Sequence, residues 1–268
     1  MNLGLSSYTY TWAVGVPGFL PDNPLTCKNL VDKTSLSGFR VLQIADNMPL
    51  EKLSESELAD LADYAKSKRI SLEMGGRGLT PEDTLKYLDT AKKINSPILR
   101  MVIDRPDFEP DIQTIISIIL DIEPELKKMN IRLALENHDR LKAREFETII
   151  RKVGSSMVGI CLDSVNSMGA GEGFETVSDI LIPFTINLHL KDFTIFRASH
   201  KMGLTIEGRP AGAGFLNIPD LLSRVKKNGM CDSAILELWT PPEVSVEKTI
   251  EKEERWAIES INYLKGLS

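Results

Sequence analysis

The chain has 268 residues, with 38 Asp and Glu against 32 Lys and Arg, a formal net charge of -6 and 42% hydrophobic residues. That is apolar material for one large core or two small ones, and a (β/α)8 barrel of roughly 250 residues fits the length without remainder. The longest aliphatic runs, Ile115-Ile116 and Ile118-Ile119-Leu120, fall far short of a bilayer span, and the acidic balance with no Lys/Arg block argues against broad nucleic-acid binding. No secretory signal is visible at Met1–Leu5, and Cys27, Cys161 and Cys231 form neither a CxxC pair nor a complete disulfide set. A cytoplasmic protein with reduced thiols, no nucleic-acid partner and no membrane partner is expected.

Strand-like runs and helical stretches alternate along the chain. Residues 3–8 (LGLSSY) and 40–45 (RVLQIA) read as strands, and 55–68 as a helix with Leu58, Leu61, Ala62 and Ala65 on one stripe. Residues 70–74 (ISLEM) form the next strand, and Thr80-Pro81-Glu82-Asp83 opens a helix with a capping residue, a first-turn proline and first-turn acids. Strands follow at 98–103 (ILRMVI), 131–136 (IRLALE), 158–163 (VGICLD), 186–191 (INLHLK) and 234–239 (AILELW). Helices over 217–228 and 246–264 have Asn217 and Ser245 as candidate caps. Several strands are nearly continuous apolar runs, as suits strands covered on both faces, and the short intervals imply parallel strands with helical crossovers. Eight such units predict one closed (β/α)8 TIM barrel domain over 1–268. An open doubly wound sheet is the alternative, but no GxGxxG turn follows the first strand.

Barrel chemistry sits at the C-terminal strand ends. Here four consecutive ends are polar: Leu135-Glu136-Asn137-His138, Leu162-Asp163-Ser164-Val165-Asn166, Leu188-His189-Leu190-Lys191-Asp192 and Leu236-Glu237-Leu238-Trp239. Glu136, Asp163, His189 and Glu237 thus fall at nearly the same height. Three carboxylates and an imidazole facing one another repel or take up protons unless a cation lies among them. One divalent metal resolves the conflict. An oxygen-rich set with one nitrogen suits Mn²⁺, with Mg²⁺ or Co²⁺ as alternatives, better than a structural Zn²⁺. In the simpler reading, each acid caps a helix or pairs with a nearby Arg or Lys.

These phrases, with Gly208-Arg209-Pro210-x-Gly212-x-Gly214, resemble the xylose isomerase-like superfamily of sugar (phosphate) isomerases and epimerases, over the whole chain. The resemblance implies the barrel, one divalent metal on Glu136, Asp163, His189 and Glu237, and a small sugar or sugar-acid substrate. It also implies acid/base work by Glu136 and Glu237 on opposite faces of that substrate. Barrels of this superfamily often pair, so a homo-oligomer is expected. The stretches Gln43-Ile44-Ala45-Asp46-Asn47, Glu136-Asn137-His138-Asp139-Arg140, Gly208-Arg209-Pro210-Ala211-Gly212 and Glu237-Leu238-Trp239-Thr240-Pro241-Pro242-Glu243 resemble one of its branches, the 3-oxo-isoapionate decarboxylases.

Two chemistries share one electron sink. The preferred reading, a sugar or sugar-phosphate isomerase or epimerase with the carboxy-lyase below as its alternative, removes a proton beside a carbonyl and returns it, using two carboxylates and a metal-stabilised enediolate. A carboxy-lyase acting on a 3-keto sugar acid loses carbon dioxide to the same kind of enolate and needs a cation to seat the departing carboxylate. Arg197, Arg209, His138 and Lys191 are candidates for that cation, and Asn166 for a hydrogen bond to substrate oxygen. Plain surface or turn roles remain open for His138 and Asn166. Asp192 is expected to orient a ligand from behind.

Glu73, Arg77, Asp104 and Arg105 read as local ion pairs. Tyr8, Tyr10, Trp12 and Trp239 read as pocket walls or ordinary packing. Gly169–Gly173 and Gly208–Gly214 lack a P-loop pattern and read as flexible loops over the site, and Cys161 reads as packing. A zinc-dependent abasic-site nuclease of the same superfamily is disfavoured by the acidic balance and by only three histidines, His138, His189 and His200. A non-catalytic binding module would leave the four converging ligands unexplained.

Overall fold

The computed structural model describes residues 1–267; Ser268, the last residue of the predicted domain, lies outside the described residues. β1 (Asn2–Ser6), β2 (Val41–Ile44), β3 (Ser71–Arg77), β4 (Ile98–Val102), β5 (Arg132–Glu136), β6 (Val158–Asp163) and β7 (Thr185–Leu190) belong to one barrel. β8 (Asp192–Arg197) and β9 (Leu204–Arg209) leave it as a hairpin, and β10 (Ser233–Leu236) closes it between β7 and β1. Every neighbouring barrel pair is parallel. The predicted eight-strand barrel is the observed fold. Among the described residues no helix is long and apolar enough to cross a membrane.

The crossovers are α1 (Thr11–Val14), α2 (Cys27–Ser37), α3 (Glu55–Ser67), α4 (Pro81–Lys93), α5 (Ile112–Met129), α6 (Ala143–Val153), α7 (Phe174–Leu181), α8 (Ile218–Asn228) and α9 (Val246–Lys265). Their starts are chemically marked. Ser54 and Glu57 form a capping box on α3, and Thr80, Asn217 and Ser245 each accept an N–H in the first turn of α4, α8 and α9. Leu58, Leu61 and Ala65 of the predicted stripe are buried, with Ala62 at its margin. Each helix covers the barrel's outer face with such a stripe, which makes the strands two-sided and apolar.

Period-two alternation turns the other face inward. Ile98 and Arg100, Ala134 and Glu136, Cys161 and Asp163, and Asn187, His189 and Lys191 therefore share the barrel interior. The register sets the heights: Asp163 lies beside His189, after a register shift between Ile160 and Cys161. The first strand ends earlier than predicted. Ser6 accepts from Tyr8 N–H while its own N–H donates to Thr9 Oγ1, so residues 7–10 turn into a 3-10 helix over the barrel mouth.

The hairpin takes up Gly208 and Arg209 of the predicted 208–214 loop, while residues 210–214 remain an irregular turn that is tied down. β8 and β9 pair antiparallel from Asp192↔Arg209 to Arg197↔Leu204. Asp192, predicted to orient a ligand, instead pins the chain after the hairpin. Its carboxylate accepts from the backbone N–H groups of Phe193, Gly212, Gly214 and Leu216. Gly212 sits at φ +87°, and a Cβ on Gly214 would strike the Asp192 carboxylate. The glycine spacing is thus a cradle for one buried acid. Asp192→Ala leaves three of these N–H groups, those of Gly212, Gly214 and Leu216, without their acceptor. It is expected to cost about 2–4 kcal/mol, read from the urea midpoint.

A second buried acid ties the residues after β1 to α9. Glu253 on α9 accepts from Trp12 N–H at 2.9 Å and Ala13 N–H at 3.0 Å, while Trp12 Nε1 donates to the Thr240 carbonyl. Burial pushes the Glu253 carboxyl up to about 7, against those two N–H groups and nearby Lys33 and with the help of Glu254. The folded chain therefore keeps a proton that the unfolded chain releases near 4.5. This contribution is complete below about pH 4.5 and is lost as pH rises through 7, about 3 kcal/mol in all. Glu253→Gln should flatten stability between pH 5 and 8, as chemical denaturation at a series of pH values would show; an unchanged slope would disprove the assignment.

Candidate active site

The four strand-end residues converge. Each is buried, and each acid has one oxygen committed outward. Glu136 Oε1 accepts from Asn166 Nδ2 at 2.7 Å, Asp163 Oδ1 from the N–H groups of Val165 and Asn166, and Glu237 Oε1 from Ser6 Oγ at 2.9 Å. The other oxygens face His189 Nδ1, at 3.5 Å from Glu136 Oε2, 3.6 Å from Asp163 Oδ2 and 3.5 Å from Glu237 Oε2. None of these inner atoms has a hydrogen bond of good geometry. The far side of the imidazole is held by Gln43, Nε2 to Oε1 2.7 Å.

Cations crowd the same centre, so the simpler reading of local pairing is partly met. Lys191 Nζ lies 2.9 Å from Asp163 Oδ2 and 2.9 Å from Glu237 Oε2. Arg100, buried in β4, pairs with Glu136 through Nε and with Asp46 Oδ1 at 3.2 Å. Burial alone would neutralise these groups, but mutual attraction wins. Lys191 and His189 hold the Asp163 carboxyl well below its usual range despite desolvation, and His189, Lys191 and Arg100 lower Glu237 in the same way. His189 is raised against its burial by Glu237 and Glu136, and Lys191 by Asp163 and Glu237.

Do these residues fit a divalent cation? Asp163, His189 and Glu237 each offer a donor atom within 4.8 Å of the others, as do Glu136, Cys161 and His189. The Cys161 thiol donates to Asn187 Oδ1 and is pushed well above its ordinary range by burial, so it is the weaker donor. Three inward carboxylate oxygens and one inward imidazole nitrogen, all without a good hydrogen bond, make an oxygen-rich set that fits a hard or borderline divalent metal.

The centre opens into a cavity of about 770 Å³. His138, Asn166 and Lys191 line it, as do Tyr8, Trp12 and Trp239. His138 Nδ1 lies 2.9 Å from the Asp139 carboxylate. Tyr10, also considered as a wall, is buried away from the cavity with Lys33 over its ring. Two predicted substrate cations are placed elsewhere. Arg197 is exposed at the outer end of β8, and Arg209 turns to Glu207 and the Gly208 carbonyl; neither lines the cavity.

Sequence reading missed Arg100, Gln43 and Ser6, and it misplaced Glu73. Glu73 lies inside β3 and takes its hydrogen bonds from Ser233, Gln43 and Asn187, not from a local cation. Arg77 pairs with Asp46, Asp104 with Arg140 and Arg105 with Asp107, as ion pairing predicts. The available signal was a charge inside an apolar run: Arg100 in ILRMV and Glu73 in SLEMGGR each demand buried partners.

Comparison with known proteins establishes the family and the fold. The chain is 32% identical over 266 residues to a 3-oxo-isoapionate decarboxylase of Pectobacterium atrosepticum, covering 98% of this chain and 95% of that protein. A crystal structure of D-psicose 3-epimerase in the presence of D-fructose superposes with a TM-score of 0.73 at 15% identity, over 99% of this chain and 97% of the other. A xylose isomerase-like TIM barrel protein from Mycobacterium smegmatis, in complex with magnesium, superposes at 0.69 with 12% identity, covering 97% of each chain. The family described as the xylose isomerase-like TIM barrel matches residues 37–267, and the chain belongs to that family.

Proposed function

We propose that this barrel is a divalent-metal-dependent carboxy-lyase acting on a 3-keto sugar acid. The observation that carries this reading is the pairing of buried Arg100 with Glu136. Glu136 has Oε1 taken by Asn166 and Oε2 by Arg100 and the centre. Proton abstraction by this carboxylate requires breaking a buried ion pair, whereas loss of carbon dioxide needs no base. The near-full-length likeness to a 3-oxo-isoapionate decarboxylase supports the same choice.

Glu136, Asp163, His189 and Glu237 would hold the metal, with Mn²⁺ preferred over Mg²⁺ and Co²⁺. When bound, the metal supplies Lewis-acid stabilisation of the negative charge that develops on the substrate's ketone oxygen. The residues of the chain do the rest. With Arg197 and Arg209 away from the cavity, Lys191 is the cation that seats the carboxylate. The carbon–carboxylate bond breaks, carbon dioxide leaves, and the electron pair moves into the enolate. Lys191 then faces the carbon that lost the carboxylate and gives it a proton, which solvent restores. His138 and Asn166 meet substrate hydroxyls, and Tyr8, Trp12 and Trp239 wall the sugar and keep water from the enolate.

Mn²⁺-loaded protein is expected to release carbon dioxide from members of a panel of 3-keto sugar acids, followed by NMR in D₂O. Deuterium entering beside a carbonyl without carbon loss would support the second reading, an isomerase or epimerase. That reading rests on Glu136 and Glu237 both lining the cavity.

Variants separate the roles. His189→Ala should weaken Mn²⁺ binding measured by calorimetry, and Glu136→Gln or Glu237→Gln should abolish turnover. Lys191→Met should retain or tighten Mn²⁺ binding, because a competing ammonium is gone, yet lose about 10²–10⁴-fold in kcat. Full activity in Lys191→Met would overturn the proton-donor assignment.

A further inference from the structure

Below the metal quartet the barrel interior is polar in a way the proposed reaction does not use. Glu73 on β3 is buried, as are Gln43 on β2, Asn187 on β7 and Ser233 on β10. Glu73 Oε1 accepts from Ser233 Oγ at 2.6 Å, and its Oε2 accepts from Gln43 Nε2 at 3.0 Å and Asn187 Nδ2 at 3.1 Å. Asn187 Nδ2 also donates to Ser233 Oγ, and Asn187 Oδ1 accepts from Gln43 Nε2 and from the Cys161 thiol. Every polar atom in this chain has a partner of the right kind.

The network has a direction. A carboxylate offers only acceptors, so the Gln43 end that faces it must be the amide nitrogen. Reversing Gln43 would bring its oxygen against Glu73 Oε2 and Asn187 Oδ1, three acceptors together in a dry interior. The Gln43 oxygen is therefore committed to the other side, 2.7 Å from His189 Nε2. Facing an acceptor, Nε2 must carry the hydrogen, so in the neutral imidazole that a metal requires the Nδ1 lone pair is on the side where Glu136, Asp163 and Glu237 converge. Burial pushes the Glu73 carboxyl up. The polarity survives protonation, because the proton can sit on Oε1 toward Ser233 while Oε2 keeps its two donors.

We infer that Glu73 is a positioning residue that sets the His189 tautomer through Gln43, and so makes His189 Nδ1 a ligand. Neither residue touches the cavity; both act through the imidazole. This inference rests on the metal-binding reading proposed above and gives the buried carboxylate of β3 a role in it.

The test is Mn²⁺ affinity by calorimetry, with long-range ¹H–¹⁵N spectra of the histidines in Mg²⁺-loaded protein. Glu73→Gln can offer Gln43 a nitrogen and so release its orientation. It should lose about 10–100-fold in Mn²⁺ affinity, the usual consequence of disturbing a ligand's outer partner, and the His189 Nε2–H signature should weaken. The double variant Gln43→Glu with Glu73→Gln restores an acceptor toward His189 and a donor behind it. It should recover most of the affinity, which a merely structural role for Glu73 would not produce. Gln43→Met removes only the acceptor facing His189, and it serves if Glu73→Gln fails to fold; it should show the same loss. Wild-type affinity in Glu73→Gln or in Gln43→Met overturns the inference, as does a double variant no better than Glu73→Gln. Wild-type protein that binds no Mn²⁺ overturns the metal reading itself, and this role for Glu73 with it.

Discussion

Three carboxylates meeting inside a closed barrel set the terms for everything around them. Burying even one ionised acid costs several kcal/mol unless partners compensate. Here Glu136, Asp163 and Glu237 all lie within 3.6 Å of one imidazole nitrogen. The surrounding residues share the compensation unequally. Outer oxygens are satisfied by neutral donors such as Asn166 and Ser6, which fix geometry without cancelling charge. Inner oxygens are left to cations, Arg100 from one side and Lys191 from the other. That division separates what holds the carboxylates in place from what they hold. It leaves the inner face available for exchange of one positive charge for another.

The same constraint runs down the barrel axis. A TIM barrel interior is ordinarily filled by layers of branched apolar side chains. In this one the quartet stands on a second polar layer of Gln43, Glu73, Asn187 and Ser233. Such a network rigidifies its members only when every donor meets an acceptor, and a half-satisfied one is worse than hydrocarbon. The cost of the layer is repaid in orientation. Side chains from separate strands of the barrel are tied together beneath the site, and the imidazole is anchored to them through Nε2 and Gln43.

Much of this was legible in the sequence. Strand ends marked the four converging residues because barrel topology places all C-terminal ends on one rim, and period two says which residues face in. Helix starts were legible because Ser54, Thr80, Asn217 and Ser245 are local devices, complete within four residues. What failed depended on distant partners. The stretch 208–214 was read as a flexible loop because its glycines suggested freedom, yet Gly208 and Arg209 belong to β9, and Gly212 and Gly214 donate their N–H groups to the Asp192 carboxylate. Arg197 and Arg209 were proposed for the cavity because sequence alone could not show the antiparallel pairing of β8 with β9. Glu73 was read as part of a local ion pair because sequence alone cannot show Gln43, Asn187 and Ser233 arriving from three other strands.

Arg100 decides most about chemistry, and it comes from the strand that looked least functional. The strand ends of an enolising barrel supply a metal site for several reactions, so the quartet alone does not choose among them. Choice requires a residue whose presence helps one reaction and hinders another. A guanidinium held between Glu136 and Asp46 hinders any step in which Glu136 must take a proton from carbon, because that proton competes with a buried ion pair. It helps a reaction in which the substrate brings its own carboxylate, since it leaves the site less negative as that second anion arrives. Lys191, held by Asp163 and Glu237 at 2.9 Å each, also lines the cavity, and in the proposed reaction it is the cation that would meet the substrate. The two cations thus brace different acids, Arg100 holding Glu136 and Asp46 while Lys191 holds Asp163 and Glu237.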